Sequence, residues 1–150
     1  MVSRKISLIL VGLVVLWACN HEITPGQLSE GPQMRNDLTV TGTVALASGV
    51  KTKGKGTLFV VARAQNQVGG PPLAVVSLQN PVLPIGFTMS QKSVMIPTNV
   101  FSGKIRLSAK WSQSGSPMAV MPGDLATADD VIVDVGSQGV DLVLVDSVVE

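Results

Sequence analysis

The chain has 150 residues, with 11 Lys and Arg against 10 Asp and Glu, one His and one Cys, for a formal net charge of +1. A balance so close to neutral excludes a nucleic-acid binder of the basic type, and one His with one Cys excludes a blue-copper site, which needs two His and a Cys. A lone cysteine also leaves no internal disulfide, so apolar burial has to stabilise whatever folds.

Residues 1–18 have the build of an export signal. Arg4 and Lys5 precede an apolar run from Ile6 to Leu16, which is short for a spanning helix of about 20 residues but suits the apolar stretch of a signal-peptide helix. Leu16-Trp17-Ala18-Cys19 closes it and resembles a bacterial lipobox. That resemblance implies cleavage after Ala18 and transfer of a diacylglyceryl group to the Cys19 sulfur, with the membrane reached through the lipid. Two or more acyl chains make such an attachment stable. Asn20 stands where Asp would favour inner-membrane retention, which points to the outer membrane over the inner.

Residues 19–37 hold the lipidated cysteine and then Pro, Gly and polar residues without an apolar period, the composition of a flexible tether. His21 lies in it, and a tether cannot supply the second shell that a metal-ligating His requires. From residue 38 to 150 the pattern changes to a period of two. Strands are predicted at Leu38–Leu46, Thr57–Ala64, Leu73–Gln79, Leu83–Met89, Lys104–Trp111, Val131–Val135 and Val140–Asp146. The alternation in Lys104–Trp111 puts Ile105, Leu107, Ala109 and Trp111 on one core-facing side. The last two strands flank Gly136-Ser137-Gln138-Gly139, which reads as a hairpin turn. Seven strands in a chain of this size predict an all-β fold, an antiparallel immunoglobulin-like β-sandwich, with a small barrel as the alternative.

Two connections, Ser90–Ser102 and Ser112–Asp129, exceed ordinary hairpin loops and are the expected places for binding residues. Both carry Met and Pro. Pro stiffens a turn and Met adapts to a partner, so Pro71, Pro72, Met95, Pro97, Met118 and Met121 are the candidate protein-binding residues. Met89, Met95, Met118 and Met121 could also be imagined as thioether ligands for Cu(I), but Met more often fills gaps under loops; no metal or cofactor is expected. Asp124, Asp129 and Asp130 lack a nucleophile or phosphate cradle beside them and read as turn and N–H-capping groups. Gly69-Gly70-Pro71-Pro72 is a turn without the Lys-Ser/Thr of a phosphate loop. No catalytic residue is identified.

Charge is unevenly placed. Leu38 to Gly123 holds eight cations and no acid, while Asp124 to Glu150 holds seven acids and no cation. Acidic C-terminal strands pairing against basic strands of the same domain are the expectation. A basic surface for anionic lipid or an acidic partner is the alternative, with Lys51, Lys53 and Lys55 its best candidates.

Leu58 to Ala64, Gly70 to Val76, Leu83-Pro84 with Phe87 and Met89, Met95-Ile96-Pro97, and Lys110 to Gly115 through Pro122-Gly123-Asp124-Leu125 follow one another in an order that resembles the C-terminal periplasmic domain of cytochrome c biogenesis proteins of the CycH/CcmI type. The resemblance implies an immunoglobulin-like sandwich in the periplasm, beside machinery that delivers apocytochrome c for haem attachment. In that family a membrane portion and tetratricopeptide repeats precede the domain; here a lipid anchor and short tether are expected in their place. The peptide-holding role of the repeats therefore does not carry over. The combined expectation is a lipid-anchored, periplasm-facing protein-binding module, an accessory of cytochrome c maturation or of a respiratory envelope complex. Its alternatives are a structural envelope lipoprotein without a dedicated ligand and Met-based copper binding.

Overall fold

A computed structural model describes residues 38–147. The expected signal peptide and tether, with Ala18, Cys19 and His21, lie outside the described residues. Eight strands form in chain order: β1 (Val40–Leu46), β2 (Thr57–Ala64), β3 (Ala74–Gln79), β4 (Ile85–Met89), β5 (Lys104–Ser112), β6 (Leu125–Thr127), β7 (Val131–Asp134) and β8 (Val140–Asp146), with a short 3-10 turn at Gln91–Ser93 between β4 and β5. The all-β immunoglobulin-like expectation stands, and seven of the eight strands fall where alternation placed them.

The strands follow one path, β3-β2-β5-β6-β8-β1-β4, with β7 added against β5. The path curls until its end strands β3 and β4 approach each other, close to barrel closure. Period-two burial explains the curl. On β5, Ile105, Leu107, Ala109 and Trp111 are all buried, while Lys104, Arg106 and Lys110 alternate outward. On β2 the inward set is Leu58, Val60 and Ala62, in register with Trp111, Ala109 and Leu107. Val40 and Val44 of β1, Phe87 and Met89 of β4, and Leu142 and Leu144 of β8 complete the same core. Between Val40 and Val44 sits Gly42, whose missing Cβ leaves room for the Phe87 ring and the Val140 carbonyl. A side chain there would have to displace both.

Two local expectations are corrected. The first is the C-terminal hairpin: β7 and β8 do not pair with each other. β7 runs antiparallel to β5, with Ile105 opposite Val133 and Lys104 opposite Asp134. β8 instead runs antiparallel to β6 and parallel to β1, with Val44 opposite Leu142. The physical reason is the apolar register, which sets Val133 opposite Ile105 and Val131 opposite Leu107 against the core, and the charges agree with it. Paired with each other, β7 and β8 would align two acidic strands without a cation, whereas pairing on β5 brings Asp134 to Lys104 at 2.9 Å and Asp130 to Arg106 at 3.7 Å. The Gly136–Gly139 segment carries the chain across to β1, where the Thr41 amide donates to the Ser137 carbonyl at 3.1 Å. The second correction is the long loop 112–129. It contains β6, a three-residue strand that bridges β5 and β8.

Strand register gives the body two ends. The entry end gathers the start of β1, the β2–β3 loop, the β4–β5 loop and the β7–β8 loop. The far end gathers the β1–β2, β3–β4 and β5–β6 loops and the end of β8. The eight residues of β2 set the separation at about 25 Å.

Candidate functional site

Both ends carry sequence-predicted residues, because the register separates the six candidates into two groups. Pro71, Pro72, Met95 and Pro97 lie at the entry end, and Met118 and Met121 at the far end. They do not share one surface.

At the entry end, two loops meet along the start of β3. Ala74 forms a β-bridge with Val94, and the Met95 amide donates to the Leu73 carbonyl at 3.1 Å. Each loop is held by its own polar side chains. The Gln67 side-chain amide donates to the carbonyls of Gly69 (3.0 Å) and Pro71 (2.6 Å), and Arg63 donates to Gly70 O at 2.8 Å. Arg106 reaches from β5 to Gln67 O at 2.6 Å. In the second loop Ser90 and Ser93 form a capping box around the 3-10 turn. Gln91 then clasps the loop's return, donating to Asn99 O and accepting from the Phe101 amide, both at 2.7 Å. Phe101 plugs the core beneath.

What this bracing holds out to solvent is apolar. Val68 is 99% exposed and Met95 54%, with Ile96, Val100, Pro71 and Pro97 also exposed. These side chains stand on two hydrogen-bonded loops, and Lys92 is the exposed charge of the second. Alternation alone could not find Val68, Ile96 and Val100, since loop residues have no period. Nor could it find Gln67 and Gln91, whose bracing roles depend on which carbonyls the fold brings near.

At the far end the organising group is Asp124, buried beside β6. Its carboxylate accepts from the Gln113 amide at 3.0 Å and the Met121 amide at 3.1 Å. Lys110 approaches it at 3.7 Å and donates to the Pro117 and Ala119 carbonyls. Ser147 donates through both its amide and its hydroxyl to the Asp124 carbonyl. The loop 113–123 is thus tied at several points, and Asp124 has the N–H-capping role its sequence context predicts. Met118, Val120 and Met121 project from that loop into solvent.

The four methionines considered as a thioether set do not converge. Met89 is fully buried in the core, Met95 lies at the entry end, and Met118 and Met121 lie at the far end. Among the described residues, no group of three or more His, Cys, Asp or Glu could hold a metal ion.

Residues 38–146 match the cytochrome c-type biogenesis protein H Ig-like domain, a span covering nearly every described residue. The chain belongs to that family. The match runs from the start of β1 to the end of β8 and so includes both loop ends. Membership accounts for the immunoglobulin-like strand set and agrees with the motifs shared across β2, β3, β4 and β5. No curated protein matches the chain. Among solved structures, one described as an alternative pilotin from the type II secretion system of Vibrio cholerae is similar at 15% identity and a TM-score of 0.51, over 73% of this chain and 96% of that one. At that identity the likeness is one of fold.

Proposed function

We propose that this protein is a lipid-anchored, periplasm-facing protein-binding module, non-catalytic, that serves as an accessory of cytochrome c maturation or of a respiratory envelope complex. The observation that carries the reading is the entry end. Two loops joined at the Ala74–Val94 bridge, and braced by Gln67 and Gln91, present Val68, Pro71, Met95, Ile96 and Pro97 as an exposed apolar surface. Stiff prolines lower the ordering cost of binding, and Met adapts its shape to a partner. Family membership supports the cytochrome c setting, the Leu16-Trp17-Ala18-Cys19 sequence supports a lipid anchor, and Asn20 after it favours the outer membrane over the inner.

The test is co-purification of the mature chain from its own envelope, with and without alanine at Pro71, Pro72, Met95 and Pro97. A specific envelope protein should accompany the parent chain, and the substitutions should reduce its recovery at least tenfold. Equal recovery, or none from the parent chain, would rule out this surface. A second reading is supported by the pilotin likeness, which spans almost all of that protein: an accessory of an envelope secretion system. The identity of the co-purifying partner separates the two.

A further inference from the structure

We infer that the far end docks on an anionic phospholipid surface, with the loop at Met118, Val120 and Met121 entering the headgroup layer and Lys51, Lys53 and Lys55 lying above it. The inference rests in part on the reading of Cys19 as lipidated, because that places a bilayer within reach.

The far end has the layering that a membrane interface selects. Met118 is 84% exposed, Val120 60% and Met121 47%. All three stand on one loop whose base is tied to the buried Asp124, so the apolar tip is already ordered before it meets a surface. Val82, on the β3–β4 turn, is exposed at the same end. The lysine turn runs beside the base of that loop. The Cβ position absent from Gly123, a residue at φ +91°, lies 3.8 Å from the Lys53 side chain. Lys51, Lys53 and Lys55 are exposed, and no carboxylate of the described residues lies within ion-pair distance of them. The one exposed acid at this end among the described residues is Asp146. Apolar side chains at depth and lysines whose stems reach back toward the headgroups are the arrangement of interfacial binding.

Reach is not limiting. Asn20 to Asp37 supplies 18 residues, a contour of about 60 Å, well beyond the roughly 25 Å between the two ends. A body standing on its far end leaves the entry-end surface facing away from the lipid, where a protein partner can approach it.

Methionine oxidation reads this directly, because the chain carries its own controls. The mature protein is reconstituted into vesicles of phosphatidylethanolamine with about 30% phosphatidylglycerol, or of phosphatidylcholine alone, and treated with dilute peroxide. Sulfoxide formation is followed residue by residue. Met118 and Met121 should oxidise at least fivefold more slowly on the anionic vesicles, with Met95 unchanged and Met89 slow throughout. Replacing Lys51, Lys53 and Lys55 together by Gln, or raising salt to about 1 M, should abolish the protection. Equal rates for Met118 on the two vesicles would overturn the inference. So would protection that appears only when envelope proteins are added, which would assign the far end to a protein. Flotation of the same samples reports the anchor separately: a chain that fails to float with phosphatidylcholine lacks the lipid, whether or not Met118 is protected by the anionic surface.

Discussion

Asp124 shows how much one buried polar residue can organise. Its carboxylate satisfies two backbone amides of the loop 113–123, those of Gln113 and Met121, and Lys110 closes the arrangement from β5. Removing it strands both amides and leaves Lys110 facing the cavity. Asp124→Leu should therefore cost about 3 kcal/mol, measured as a fall in the urea midpoint, and Asp124→Asn roughly half of that because one acceptor oxygen remains. Had Asp124 been an ordinary turn residue, both changes would stay within about 0.5 kcal/mol. Its acceptor role was legible from its place in a Pro-Gly-Asp turn. Its burial was not, because burial follows from β6, a three-residue strand too short to have a period.

At the scale of strands, alternation was sufficient wherever a segment buries one face over five or more residues. β5 is the clearest case, with its inward set read correctly to the residue. Alternation fails on pairing, which it does not encode. The turn at Gly136–Gly139 carries hairpin residues, yet β7 joins β5 and β8 joins β1 and β6. The segregation of cations and acids is consistent with the outcome, since β5 offers Lys104 to Asp134 and Arg106 to Asp130. The energy of any single exposed pair is still small. For Lys104 and Asp134, both more than half exposed, a double-mutant cycle followed by urea denaturation should return a coupling of about 0.5 kcal/mol or less. A coupling above 1.5 kcal/mol would mean the pair, rather than the apolar register beneath it, sets the position of β7.

Over the molecule, the strand register converts six scattered candidates into two surfaces with different characters. The entry end holds exposed apolar side chains on loops braced by Gln67 and Gln91; the far end combines an apolar loop with lysines that pair with no carboxylate of the described residues. The sequence shows which loops carry Pro and Met, but opposite ends of β2 and β5 cannot be told apart until register is known. Under the proposed function, this division would let one small domain hold a partner with one end while the other stays near the membrane. The proposed function places partner binding at the entry-end loops. The most direct measurement places a photo-crosslinking residue at Met95 in the full chain in its own envelope, with Val143 on the outer face of β8 as the reference position. Position 95 should give a discrete protein adduct and position 143 none. No adduct at 95, or the same products from both positions, would contradict it.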